Sequence, residues 1–397
     1  MKQQLFSLVT VIGLACLLSG CASADKDAGQ QSKLPQPLPA NSFARNWAND
    51  LALDSGDAVK RLFVRDNQLF IYTNQHIVYN IDRSGGGLQY VAEPNVSGGV
   101  LRPPLVLGET VIYPSGSSLE IFNNLGRPLR TIELEKPTRG GAAGTGSNVY
   151  IGLDHTGGTG VIAALDITKA YRVINWELMT FGAVTPTPAL FDGTIYAGSE
   201  DGKIYAVTAD RTPAWSLPGG SNTFDTRGRF IADIQVDDFG LYAANTDSKV
   251  YCLDRTTGRV KWIYYAGGSS LKTAPVAGPT LVYQYVPGTG VVAIDKQNGQ
   301  YNRVPVWTIK DAVSFLSEDE GHAYLQRKDN RILAIEKQTG KLTFISKRHP
   351  LKVFTTNQKD STIYGASRDG KVWSVRPVLR EGEVGHIVID LRFEPVG

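Results

Sequence analysis

The 397-residue sequence has few sulfur-containing side chains, with three cysteines and two methionines. Cys16 and Cys21 both belong to the first 21 residues, which leaves Cys252 as the one cysteine in the rest of the chain. A lone cysteine excludes an intramolecular disulfide, and no histidine lies near it in sequence to activate it as a nucleophile. Because Cys252 alternates with Tyr251 and Leu253 in an apolar segment, we interpret it as a small buried hydrophobic residue.

An excess of charge of one sign is also absent, because 41 basic residues face 38 acidic ones. A net charge of +3 gives no reason to expect nucleic-acid binding, which needs a concentrated basic face. The histidines, at positions 76, 155, 322, 349 and 386, have no spacing typical of metal ligands. Residues 140–146 are glycine-rich but lack the Lys-Ser/Thr pair and the following helix of a phosphate-binding loop. We therefore expect no metal, no cofactor and no catalytic constellation.

Long apolar runs are absent except near the amino terminus, where residues 5–18 are aliphatic or small. This run is shorter than the roughly 20 residues that a membrane-spanning helix needs, and it follows the basic Lys2, which is typical of a secretory signal. Leu18-Ser-Gly-Cys21 resembles the lipobox of bacterial lipoproteins, which implies a signal peptide over residues 1–20 and lipid on Cys21. A plain signal peptide with a chance cysteine is the alternative. Ala22, where an Asp favours inner-membrane retention in enterobacterial lipoproteins, implies the periplasmic face of the outer membrane.

The segment after Cys21 is polar and contains Pro35, Pro37 and Pro39. Such a composition cannot bury enough apolar surface to fold, so residues 21–42 are predicted to be a disordered tether. Residues 43–397 are then expected to form one folded domain.

Glycine and tyrosine are plentiful, with 42 and 17 residues, and eight tyrosines recur about every 40 to 45 residues in one local pattern. They are Tyr72, Tyr113, Tyr150, Tyr196, Tyr242, Tyr283, Tyr324 and Tyr364. Around Tyr242 the unit contains an apolar strand, a turn, a second strand, Thr257-Gly258 and a strand ending in Trp262. This period predicts an all-β fold, an eight-bladed β-propeller of four-stranded antiparallel blades, with an open sandwich as the alternative.

The sequence leaves open which terminus completes the last blade. Residues 47–53, beginning with Trp47, look like a closing strand without a preceding blade, so we assign them to the outer strand of blade 8. Residues 385–393 alternate apolar and polar side chains and compete for that place, or both termini supply a strand and blade 8 has five strands. Residues 376–397 are accordingly predicted to be an extra strand or extension.

The Tyr…Asp-Gly…Thr-Gly…Trp repeat resembles that of quinoprotein propellers, some of which bind pyrroloquinoline quinone and calcium and oxidise alcohols or sugars. The vicinal cysteine pair of many such enzymes is missing, and most aspartates of the repeats lie in hairpin turns, where Asp is expected for backbone geometry. We expect that the protein is not an enzyme. A dehydrogenase dependent on pyrroloquinoline quinone stays as an alternative.

The lipobox, the Pro-rich segment, residues 37–47 and the eight repeats together resemble the BamB family of propeller lipoproteins. That family belongs to the machine that inserts β-barrel proteins into the Gram-negative outer membrane. The resemblance implies a non-catalytic scaffold that docks on a periplasmic POTRA domain of BamA, alongside the other subunits and unfolded barrel precursors. A lipid-anchored propeller that binds another envelope partner is the alternative.

Residues 220–233 are similar to the family's charged loop between blades 4 and 5, which helps to contact BamA. The resemblance implies that Asp225, Arg227 and Asp233 are partner-binding residues. In the preceding interblade loop, Phe181 stands where the family has an arginine, and we include it in the expected contact surface. A local pair in which Asp225 and Arg227 only order the loop is the alternative.

Overall fold

The computed structural model describes residues 42–96, 99–297 and 304–378. These segments contain 32 β-strands and two single-turn 3-10 helices, at Thr156–Gly158 and Pro218–Gly220. The strands form eight separate four-stranded antiparallel sheets, which confirms the predicted eight-bladed propeller. The predicted signal peptide, the tether before residue 42, Cys21 and the possible strand at residues 385–393 lie outside the described residues.

Each of the first seven blades takes four consecutive strands. Blades 1 to 4 contain β2 (Val59–Arg65), β3 (Gln68–Thr73), β4 (Val78–Asp82), β5 (Leu88–Ala92), β6 (Leu105–Leu107), β7 (Thr110–Ser115), β8 (Ser118–Asn123), β9 (Pro128–Glu133), β10 (Ala142–Thr145), β11 (Asn148–Asp154), β12 (Gly160–Asp166), β13 (Ile174–Thr180), β14 (Ala189–Phe191), β15 (Thr194–Gly198), β16 (Lys203–Thr208) and β17 (Thr223–Asp225). Blades 5 to 7 contain β18 (Gln235–Val236), β19 (Leu241–Ala244), β20 (Lys249–Leu253), β21 (Val260–Tyr265), β22 (Val276–Ala277), β23 (Leu281–Val286), β24 (Gly290–Asp295), β25 (Trp307–Ile309), β26 (Ala312–Glu318), β27 (His322–Arg327), β28 (Ile332–Glu336) and β29 (Leu342–Ile345).

Blade 8 closes the ring with a strand from the amino-terminal end of the described chain. It consists of β30 (Val353–Thr355), β31 (Ile363–Ala366), β32 (Lys371–Val378) and β1 (Ser42–Asp50). Strand β1 pairs antiparallel with β32, from Ser42 opposite Val378 to Asp50 opposite Lys371. The predicted use of the Trp47 segment as the outer strand is confirmed, although the strand begins earlier and ends at Asp50. This pairing covers the edge that β32 would otherwise expose.

The eight repeated tyrosines each lie in the second strand of a blade and are at most 2% exposed. They fill the space between neighbouring sheets, so the repeat is a packing repeat. An axial cavity of about 650 Å³ is lined mainly by residues of five first strands, β2, β18, β22, β26 and β30. Strand β30 of blade 8 contacts β2 of blade 1, which completes the ring.

Tryptophans connect each of five blades to the next. Each indole N–H donates to a backbone carbonyl at the turn between the third and fourth strands of the following blade, over 2.7 to 3.2 Å. The pairs are Trp47 with Arg83, Trp176 with Ala209, Trp215 with Arg255, Trp262 with Lys296 and Trp307 with Lys337. At three of these turns a glycine lies against the ring, with Gly86 at Trp47, Gly258 at Trp215 and Gly340 at Trp307, and an added Cβ at Gly258 would be 2.7 Å from Trp215. The closing aromatic and the Thr-Gly turn of the sequence repeat therefore form one interblade contact.

Candidate functional site

Two faces of the propeller must be distinguished, because antiparallel strands place alternate loops at opposite ends of a blade. The connection face carries the loops that join consecutive blades and the hairpins between second and third strands. The hairpin face carries the other two hairpins of each blade. The predicted contact residues belong to the connections from blade 3 to blade 4 and from blade 4 to blade 5, on the connection face.

Phe181 follows β13 and is 82% exposed. Its backbone is fixed, since its N–H donates to Asp201 Oδ2 over 3.1 Å. The same carboxylate oxygen accepts from the Tyr205 hydroxyl over 2.7 Å, and burial together with this bond raises the pKa of Tyr205. Asp201 occupies the hairpin between β15 and β16, where the sequence indicated only a turn former. It is a positioning residue that the sequence analysis missed.

Asp225 lies in β17, the fourth strand of blade 4, so the predicted loop contains a short strand. Its Oδ2 accepts from Lys203 Nζ over 2.9 Å and its Oδ1 from the Thr223 hydroxyl over 2.6 Å. Burial opposes ionisation of this carboxyl group, but the two hydrogen bonds outweigh it and lower the pKa of Asp225. Its ion-pair partner is Lys203 on the adjacent strand, and not Arg227.

Arg227 is exposed, and its side chain makes no hydrogen bond or ion pair with the described part of the chain. The residues on both sides of it are fixed. Thr226 donates its N–H to the carbonyl of Gly202 over 2.8 Å, and its hydroxyl donates to the carbonyl of Gly228 over 2.9 Å. An exposed guanidinium group is thus presented from a hydrogen-bonded backbone, beside the hairpin that also holds Phe181.

Asp233 is half-buried and does not belong to the exposed surface. Its Oδ1 accepts from the backbone N–H of Thr187 over 2.8 Å, which ties the two interblade connections together, and it lines the axial cavity. Burial raises the pKa of Asp233, an effect that hydrogen bonds from Thr187 and the charge of Arg65 only partly offset. Asp233, predicted as a contact residue, instead faces the axial cavity and holds the two interblade connections together.

A charge network extends this region across blade 3, which the sequence did not indicate. Glu200 accepts from Arg229 over 3.2 Å and from the Thr185 hydroxyl over 2.7 Å, and it lies 3.9 Å from Arg139. Arg139 in turn pairs with Asp154 over 2.7 Å. The hairpin and both connections are therefore cross-linked by charged hydrogen bonds.

We call Phe181, Asp201, Lys203, Asp225 and Arg227 the contact surface.

Other kinds of site were sought across residues 42–96, 99–297 and 304–378. In these segments no group of three or more His, Cys, Asp or Glu side chains is arranged to hold a metal ion. None of the helices described there is long and apolar enough to cross a bilayer. Cys252 is fully buried in β20, as the sequence predicted.

The fold and repeat define an eight-bladed propeller of the quinoprotein-like class, with its exposed aromatic and cationic contact surface on interblade connections. The family model described as outer membrane protein assembly factor BamB matches residues 115–341, which is more than half of the chain. The chain belongs to the BamB family.

Solved structures share the propeller at low sequence identity. BamB from Moraxella catarrhalis is 17% identical with a TM-score of 0.64, and the match covers 87% of this chain and 99% of that one. The computationally designed Ika8 protein is 15% identical with a TM-score of 0.59, covering 80% and 96%. The carboxy-terminal WD40 domain of Sif2 is 10% identical with a TM-score of 0.62, covering 85% and 99%. No curated protein sequence matches the chain at a significant level.

Proposed function

We propose that this protein is a non-catalytic scaffold in the assembly of outer-membrane β-barrel proteins, and that its contact surface docks on a periplasmic POTRA domain of BamA. Membership of the BamB family supports this role. The observation that carries the docking proposal is the exposure of Phe181 and Arg227 on backbones fixed to one hairpin. The other subunits of the machine and extended barrel precursors, added along the outer strands of the blades, are further partners in this proposal.

The chemistry of the contact surface suits a protein partner. Aromatic and arginine side chains dominate the binding energy of many interfaces, because they bury large areas and form several hydrogen bonds. Phe181 offers an apolar ring for a pocket, and Arg227 offers a guanidinium group for a carboxylate or a strand edge. Since Asp201 and Thr226 already fix the flanking backbone, binding loses little backbone conformational entropy.

The protein is proposed to be held at the periplasmic face of the outer membrane by lipid on Cys21. Several acyl chains on one residue make a durable anchor, since each buried CH₂ contributes about 0.8 kcal/mol. Replacement of Cys21 by Ser should abolish incorporation of labelled palmitate. Palmitate incorporation that persists in the Cys21→Ser variant would contradict the proposal.

Docking is tested by affinity purification of the tagged chain from detergent-solubilised envelopes. We expect BamA among the co-purified proteins, and we expect Arg227→Glu and Phe181→Ser to reduce its amount. Lys272→Glu is the matched control, because Lys272 is exposed on another interblade connection of the same face. Absence of BamA with the unmodified chain would refute docking. A large fall in melting temperature in Arg227→Glu with BamA retained would mean that the residue is structural.

A further inference from the structure

A second exposed surface lies on the hairpin face of blades 2 and 3, away from the contact surface. Three large apolar side chains project there. Leu125 is 63% exposed, Leu129 is 58% exposed and Tyr171 is 87% exposed. They belong to the turn between β8 and β9, to the start of β9, and to the turn between β12 and β13. Projecting apolar side chains on hairpin turns are not needed for packing within a blade.

The same two hairpins carry four basic side chains. They are Arg127, Arg130, Lys169 and Arg172. Arg130 joins the two turns into one surface, because its Nη1 donates to the carbonyl of Ile167 over 3.2 Å and to that of Lys169 over 3.1 Å. We call these four cations, with Leu125, Leu129 and Tyr171, the basic-apolar patch.

Few carboxylates compete with these cations. Asp166 is the one carboxylate in the two turns, and it caps its own turn by accepting from the Thr168 hydroxyl over 2.6 Å and the Thr168 N–H over 3.0 Å. Glu109, in the hairpin between β6 and β7, and Asp210, in the hairpin between β16 and β17, are carboxylates of neighbouring hairpins on the same face. The patch therefore keeps a net positive charge, which is complementary to an anionic surface.

The chain enters the propeller on this same face. Strand β32 ends at the hairpin face, and Ser42 at the start of β1 is paired with Val378 at that end. The 21 residues from Cys21 to Ser42 can span at most about 70 Å, so a lipid on Cys21 holds the point of chain entry within that distance of the membrane. The chain entry and the basic-apolar patch thus lie on the same face of the propeller.

We propose that the basic-apolar patch rests on the anionic phospholipid surface of the membrane to which the chain is anchored. This inference depends on the lipid anchor proposed above. Tyrosine favours the boundary between head groups and acyl chains, while Lys and Arg are attracted by anionic head groups. With the hairpin face on the bilayer, Phe181 and Arg227 on the opposite face point toward the periplasm, where a POTRA domain can reach them.

The test uses the full lipidated chain in vesicles of phosphatidylcholine, with or without phosphatidylglycerol, and a fluorescent label at one introduced cysteine. Ala170→Cys places the label beside Tyr171, and Val100→Cys places it at an exposed position on the connection face. Cys252 is fully buried and stays unlabelled. Lipids carrying a nitroxide at the head group quench a label that touches the membrane surface.

We expect strong quenching at position 170 in anionic vesicles and little at position 100. Arg127→Gln and Lys169→Gln should each lower the equilibrium constant for contact between the hairpin face and the vesicle surface about fivefold. A cation near an anionic surface contributes about that factor. Lys272→Gln on the opposite face should leave it unchanged. Equal quenching at both positions, or none at position 170, would overturn the assignment.

Flotation of the same vesicles separates this proposal from the anchor on which it depends. Flotation without quenching at position 170 refutes only the orientation of the propeller. Loss of flotation contradicts the lipid anchor and removes the membrane contact with it.

Discussion

The contact between Trp215 and the turn glycine Gly258 predicts that two Gly→Ala substitutions will lower the free energy of unfolding by very different amounts. Gly258 has φ +72° and Gly193 has φ +73°, so alanine meets the same backbone strain at both positions. An added Cβ at Gly258 would lie 2.7, 2.9 and 3.1 Å from three ring atoms of Trp215, whereas at Gly193 it meets no atom within 4 Å. Because Trp215 is only 2% exposed, its ring has no free space to retreat into.

The magnitude follows from what the ring would lose. Overpacking of a dense core costs about 1 to 3 kcal/mol. Displacing the indole also weakens the 2.9 Å hydrogen bond to the Arg255 carbonyl, which contributes about 1 kcal/mol. Gly258→Ala should therefore destabilise the protein by about 2 to 4 kcal/mol more than Gly193→Ala, which bears only the cost of positive φ, about 1 kcal/mol.

Urea unfolding followed by far-ultraviolet circular dichroism measures both free energies. In a Trp215→Leu background most of the extra cost at Gly258 should disappear, since a smaller side chain leaves room for the methyl group. Equal destabilisation by the two alanine substitutions would refute the interblade contact as described.

Two further substitutions test buried charges. Lys337 donates to the Asp319 carbonyl and pairs with Glu318 over 2.8 Å, with side chains 10% and 11% exposed, so Lys337→Met should cost about 3 to 5 kcal/mol in urea unfolding. The exposed Lys371→Met should cost less than about 1 kcal/mol, and equal losses would contradict this. Burial raises the pKa of Asp233 above its value in the unfolded chain. The folded protein is therefore more stable when this acid is protonated, and the free energy of unfolding falls as pH rises through the folded pKa. Asp233→Asn should stabilise the protein at neutral pH, with a gain that disappears near pH 4, and a gain independent of pH would refute this reasoning.

The architecture was predictable because its determinants are local and repeated. Each repeated tyrosine fills the same buried position, and Trp215 and Trp307 each pack against the Thr-Gly turn of the following blade. The closing strand was predictable for a similar reason, since Trp47 has the place of a closing tryptophan and donates to the Arg83 carbonyl.

The site was predicted less completely, because its contacts join segments that are distant in sequence. Asp225 pairs with Lys203 across a strand register that the sequence did not indicate. Asp233 looks like any loop acid in sequence, but the connection turns inward before β18 and places it at the axial cavity. Leu125 and Tyr171 lie in ordinary turns, and only the fold brings them to one face.

The most direct test of the central claim is the affinity of the purified chain for the isolated periplasmic POTRA domains of BamA, measured by calorimetric titration. We expect saturable binding that Phe181→Ser and Arg227→Glu each weaken about tenfold or more, as for central interface residues, with unchanged urea unfolding. Lys272→Glu should bind like the unmodified chain. No binding, or binding that neither contact-surface variant weakens, would contradict the proposed docking site.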